Sequence, residues 1–231
     1  MNWFLPIDLY CERTNVAFWA EPFNAISNIA FLLAALWAAI ELRKRRTYDP
    51  LATLLIALAA AVSAGSFLFH TFANRWAELA DIIPIWTFVT VYVVACIFRL
   101  RRTQASPTRV AGLVLLAAIA PALWIGSSQT TPAPAGLRDP FNGSLQYAPA
   151  LVALTGFAIM LARRRHALTP WIGAAAVTFA VALVLRSVDQ ALCPVLPLGT
   201  HFVWHLLDGA MVGLLLQAVI RLGPRLRAHA N

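Results

Sequence analysis

The sequence predicts an all-α integral membrane protein: a seven-transmembrane helix bundle, N-terminus outside and C-terminus cytoplasmic. Three observations predict it. Hydrophobic residues make up 60% of the 231 residues and charged residues 12%, against roughly 45–50% and about 25% in soluble domains. The mean hydropathy is +0.71. The apolar residues gather into seven stretches, near 24–43, 51–72, 80–100, 109–126, 145–162, 169–188 and 200–221. Each is close to the roughly 20 residues that cross a bilayer as a helix. So apolar a chain collapses, which excludes disorder. Three cysteines in 231 residues are too few for a disulfide scaffold.

Residues 1–23 precede the first stretch and carry Asp8, Glu12 and Glu21 among Trp3, Tyr10 and Trp19. The aromatic rings suit the membrane–water interface. This flank is too acidic, and the first stretch too late, for a cleaved signal peptide. Ala, Leu, Val and Ile fill the seven stretches without period-2 alternation, which argues against a β-barrel. The longest connection, 127–144, is rich in Ser, Thr, Pro and Gly and reads as a loop. Residues 222–231 form a basic tail, so the whole chain reads as one membrane domain, with the bundle over 24–221.

Charge orients the bundle. Arg43, Lys44, Arg45 and Arg46 follow the first span, and Arg99, Arg101, Arg102 and Arg109 lie between the third and fourth. Arg163, Arg164 and Arg165 separate the fifth and sixth, and Arg221, Arg225 and Arg227 follow the seventh. All four groups fall on one side; the other side has only Arg13, Arg75, Arg138 and Arg186. By the positive-inside rule the crowded side is cytoplasmic. The net charge of +8 is thus topological, and no basic patch interleaved with exposed aromatics invites nucleic acid.

Ionisable groups at membrane depth are costly and mark function. His166 and His229 lie in the basic cytoplasmic segments and read as solvated. His70, near the outer end of span two, and His201 and His205, at the outer start of span seven, share one depth. In H-F-V-W-H the i, i+4 spacing puts His201 and His205 on one helix face, as in two-histidine metal sites. His70 and a water complete the ligand set of a catalytic zinc. The competing reading of the pair is two interfacial histidines reaching water.

Ser66 lies one turn before His70 on the same face, as a candidate site residue or a small packing residue. Asp81 stands at the start of span three, as a site carboxylate or a helix-capping charge. Asp208, three positions after His205, is a candidate to orient a histidine or an ordinary polar contact. Glu12, Glu21 and Asp8, with nearby amides, are candidate calcium ligands because carboxylates and carbonyls are hard donors; the alternative is a solvated acidic loop. Cys11 and Cys193 both fall outside, where oxidation is permitted, and are expected to form a disulfide. Cys96 reads as a small apolar packing residue.

The segments D-L-Y-C-E-R, E-P-F-N-A-I-S-N, G-S-F-L-F-H, D-I-I-P and H-F-V-W-H, in this order and spacing, resemble the alkaline ceramidase family. That family belongs to a superfamily of seven-span membrane hydrolases that includes adiponectin-type receptors. The resemblance covers the first three spans and the seventh. It implies zinc on His70, His201 and His205, a site serine at Ser66 and a site aspartate at Asp81. It also implies calcium in the N-terminal loop, where Glu12 and Glu21 match when aligned on Cys11. The family's first aspartate falls on Leu9, with Asp8 one step early; its tryptophan falls on Tyr10, and its asparagine on Thr14. The acid that usually follows the aspartate is Ile82 here.

The implied activity is zinc-dependent hydrolysis of ceramide-like lipids to a fatty acid and a sphingoid base, with a membrane lipid as partner. The implied setting is a cell (inner) membrane with the site toward the non-cytoplasmic face. The alternatives are a receptor-like protein with a structural zinc, and a hydrolase of another lipid amide or ester. Haem ligation and transport are the remaining rivals; transport predicts inverted repeats and broken helices, and neither is visible in the sequence.

Overall fold

A computed structural model describes residues 2–46, 48–100, 139 and 141–223. The described residues form helices, one short 3-10 turn over Ser144–Tyr147 and a single isolated bridge between Pro6 and Asn74. The helices are α1 (Pro22–Ser27), α2 (Ile29–Lys44), α3 (Pro50–Phe72), α4 (Arg75–Leu100), α5 (Ala148–Arg163), α6 (Thr169–Leu192) and α7 (His201–Leu222). Six segments are long and apolar enough to cross a membrane, α1 and α2 together making the first. The expected span at 109–126 and most of the expected loop at 127–144 lie outside the described residues.

Local chemistry starts these helices. Asp49 caps α3, its carboxylate accepting from the Ala52 amide at 3.0 Å, with Pro50 in the first turn. A proline there fills a position whose N–H has no partner in the helix. Prolines also open α1, α5 and α6. The start of α7 is capped from another helix: Asp189 of α6 accepts from the amides of Thr200 at 2.6 Å and His201 at 3.0 Å. Its second oxygen accepts from the Cys11 amide at 3.1 Å. One buried carboxylate thus joins the N-terminal loop to the first turn of α7.

Helix α7 is the centre of the bundle, packing on α2 and α6 most extensively and also on α1, α3 and α4. Small residues permit this, as they do where helices meet in lipid. A Cβ at Gly209 would meet the Ala30 carbonyl carbon at 2.7 Å, so glycine lets α2 lie directly on α7. Ala35, Ala38, Ala52, Ala59 and Ala175 fill the remaining core. Leu32, Leu33 and Leu36 of α2 and Val177, Val181 and Val184 of α6 are exposed, a surface suited to lipid.

At one end of the bundle, Arg99 of α4 holds both oxygens of Asp49 at 2.6 Å and the Val219 carbonyl of α7. That clamp joins the start of α3 to the ends of α4 and α7. The end of α3 and the starts of α4 and α7 therefore meet at the opposite end, where His70, Asp81 and His201 are found.

Candidate functional site

The end of α3 supplies His70, and the first two turns of α7 supply His201 and His205. All three are buried. One nitrogen from each can be chosen so that all lie within 4.8 Å of one another. Ring centroids are 4.5 Å apart for His201–His205, 4.7 Å for His70–His205 and 5.2 Å for His70–His201. Among the described residues, this is the one group of three or more His, Cys, Asp or Glu arranged to hold a metal ion.

The donor chemistry fits zinc. His70 Nδ1 pairs with Glu21 Oε2 at 2.6 Å, and His205 Nδ1 with Ser27 Oγ at 2.8 Å. Such contacts fix ring orientation and leave the other nitrogen as ligand. The His201 ring stacks on Tyr10, with centroids 3.5 Å apart and planes at 12°. Its Nδ1 is buried without a hydrogen-bond partner. Three imidazoles are the protein ligand set of a catalytic zinc site, which would keep a fourth position for water or substrate.

Ser66, Asp81, His201 and His205 share the wall of one cavity of about 380 Å³. Among the described residues, Asp81 Oδ1 has no hydrogen-bond partner. Gly65 brings α3 and α4 together here, because a Cβ on it would run into the Ala80 carbonyl and come within 3.2 Å of Asp81 Cα. Ser66 follows Gly65 directly, so this close approach carries it to Asp81. The cavity continues along α7 as far as Leu215, among Phe88, Met160 and Phe179. The helical steps from His201 to Leu215, at about 1.5 Å each, make that wall roughly 21 Å long. A long apolar slot with polar groups at one end suits a lipid chain.

Arg186 of α6 enters the cavity beside these groups. It donates to Tyr10 Oη at 2.8 Å, and its guanidinium carbon lies 5.5–5.6 Å from the rings of Tyr10, Tyr147 and Trp204. Burial raises the Tyr10 pKa against the opposing charge of Arg186. Asp208 also reaches the cavity, with Oδ1 unpartnered. It is not the partner expected for a histidine; Glu21 and Ser27 hold that role.

The expected calcium ligands do not converge. Asp8 is exposed on the N-terminal loop. Glu12 reaches to the first turn of α1 and accepts from the amides of Phe23 at 2.7 Å and Asn24 at 2.8 Å. Burial raises its pKa while those amides oppose the rise. Glu21 is buried between Arg13, Asn24 and His70. Burial alone would raise its pKa, but His70, Asn24 and Arg13 together hold it below the usual carboxylate range. The physical reason is saturation: both acids already have protein donors on both oxygens.

The expected disulfide is present, with Cys11 and Cys193 joined and their Cα atoms 5.3 Å apart. It ties the loop that carries Tyr10, Arg13 and Glu21 to the segment entering α7. Cys96 is buried and free, as expected. Reading the sequence missed Glu21 and Ser27 as partners of the histidines, although both lie in E-P-F-N-A-I-S-N. It also missed Tyr10, in the N-terminal loop, and Arg186, inside α6, because a single residue in either place has no spacing to mark it.

A family model described as Ceramidase matches residues 8–227, nearly the whole chain. No curated protein matches it.

Proposed function

The chain belongs to the ceramidase family, and we propose that it is an intramembrane zinc-dependent hydrolase of ceramide-like lipid amides. The observation that carries this reading is a cluster of three buried imidazoles, two of which, His201 and His205, line the polar end of a long apolar cavity with Ser66 and Asp81. Hydrolysis breaks the amide C–N bond, adds water across it and releases a fatty acid and a sphingoid base. His70, His201 and His205 would hold the zinc. The ion, when bound, would polarise the amide carbonyl and lower the pKa of water from 15.7 toward about 7.

The protein's own groups do the rest. Asp81 takes the proton from the attacking water and passes it to the leaving nitrogen, the acid–base cycle a half-buried carboxylate can run. Ser66 donates to the carbonyl oxygen as negative charge grows on it; losing such a donor costs about 10²–10³ in rate. The apolar length of the cavity takes the acyl chain, and Tyr147, Arg186 and Asp208 offer polar contacts to the hydroxyl-bearing end. The basic ends of α2, α5 and α7, at Lys44, Arg163 and Arg221, support a site facing the non-cytoplasmic side of a cell membrane.

The test is metal analysis of the purified protein together with mass spectrometry of lipid products. The expected result is about one zinc per chain, lost in His201→Ala, with ceramide cleaved to fatty acid and long-chain base. Asp81→Asn should keep its zinc and lose cleavage. Cleavage at full rate by zinc-loaded Asp81→Asn would overturn the role of Asp81. Zinc without cleavage of any lipid amide or ester in the wild type would favour the receptor-like alternative.

A further inference from the structure

The N-terminal loop contains a filled cation site. Three oxygens from separate parts of the chain surround the buried Arg13 guanidinium. Nε pairs with Glu21 Oε1, one terminal nitrogen donates to the Asn15 carbonyl at 3.2 Å, and the other donates to the His70 carbonyl at 3.0 Å. A carboxylate and two backbone carbonyls are the ligands a hard metal ion would choose. Here they are satisfied by a guanidinium attached to the chain. The remaining Glu21 oxygen accepts from Asn24 Nδ2 at 3.0 Å and pairs with His70 Nδ1, so Glu21 has no oxygen to spare for a free ion.

We infer that Arg13 is the resident cation of this loop and the positioning residue for His70, so that the histidine centre assembles without calcium. The inference rests on the proposed zinc centre and goes beyond it to the regulation of that centre. Electrostatics requires a partner for Glu21. A metal-bound imidazole is neutral, so His70 cannot balance the Glu21 carboxylate, and an uncompensated buried charge is strongly unfavourable. Arg13 supplies the balance. Its fork also grips the backbone of His70 itself, so the histidine is held at its carbonyl and, through Glu21, at its Nδ1. The disulfide at Cys11, two residues before Arg13, holds the loop in place before any metal arrives.

The test is zinc affinity of the full-length protein in detergent, measured by chelator competition with calcium omitted or added at millimolar level. Arg13→Ala should weaken zinc binding about 10–100-fold, the usual loss when a partner of a ligating histidine is removed. Arg13→Lys should fall between Arg13→Ala and wild type, because an ammonium replaces the charge but not the planar fork. Glu21→Gln should weaken binding as Arg13→Ala does, and the double variant should lose less than the two single losses combined, since Arg13 and Glu21 hold His70 as one linked pair. Wild-type affinity should not change with calcium.

A folded Arg13→Ala that binds zinc like the wild type would overturn the inference, as would a wild-type affinity that rises with calcium. If Arg13→Ala does not fold, Arg13→Lys decides, and wild-type affinity in that variant overturns the role of the fork. Zinc binding by a wild type that cleaves no lipid would sink the proposed function and leave this inference standing. A wild type that binds no zinc would sink both.

Discussion

Gly65→Ala tests whether the approach of α3 to α4 sets the chemistry. The added methyl would run into the Ala80 carbonyl oxygen. An ordinary contact of 3.4 Å or more returns only if the helices part by roughly 1.4 Å, since packed interiors have little slack. Ser66 and Asp81 flank this contact, so parting the helices separates them, whereas His70 and α7 keep their relation. Overpacking costs about 1–3 kcal/mol, and replacing glycine by alanine in a helix returns about 1 kcal/mol. The net loss of stability is roughly 0–2 kcal/mol. A misplacement of about 1 Å in a catalytic group can cost 10²-fold in rate, equivalent to about 2.7 kcal/mol. With a folding stability of about 5–15 kcal/mol, unfolding cannot account for a rate loss of that size. The assay is initial-rate ceramide hydrolysis beside thermal melting and zinc titration. A 10²-fold slower enzyme with near-normal melting and normal zinc content is expected. Gly156→Ala and Gly173→Ala are the controls, because a Cβ at either meets nothing within 4 Å; both should be active and at least as stable. Full activity in Gly65→Ala would refute the reasoning.

Asp49→Ala leaves the part-buried Arg99 without its carboxylate and removes the α3 cap. It should destabilise the fold by about 3–5 kcal/mol in a thermal or denaturant melt, while activity per folded molecule is unchanged because the site is at the other end of the bundle. Cys193→Ser opens a link between residues 182 apart in sequence; it should cost about 2–4 kcal/mol, and non-reducing electrophoresis should show the mobility of the reduced wild type. Arg186→Met removes the cation among Tyr10, Tyr147 and Trp204. It should lower kcat/KM by about 10–100-fold, the worth of a hydrogen bond to a charged group, with zinc content unchanged in metal analysis.

What the sequence made legible followed from short periodic rules. Apolar length marked the spans, and the four-residue step from His201 to His205 put two rings on one face. Matching depth then singled out His70. The second layer was not legible because it depends on chain reversals. Glu21 reaches His70 across 49 positions, Ser27 reaches His205 across 178, and Asp189 caps α7 from another helix. No periodicity links such pairs. The donors that meet the acids of the N-terminal loop were not legible for a related reason: a carboxylate's chemistry is decided by which donors reach it. Glu12 met two helix amides and Glu21 met a guanidinium, and neither donor is visible in the local composition.

The arginines carry the same argument further. Counting them by side treated Arg13 and Arg186 as the sparse charge of the outer face, the least informative members of the topology count. Burial reverses that ranking. A cationic residue at the basic rim of the bundle, such as Lys44 at the end of α2, costs little because water remains within reach. Arg13 and Arg186 are buried, so each must recover its lost hydration from specific partners. Arg13 does so from three oxygens, one of them the His70 carbonyl, and Arg186 from a phenol and three aromatic rings. Arginines that lie away from the basic rim, and are then buried, are therefore the cations most tightly bound to the chemistry of the site.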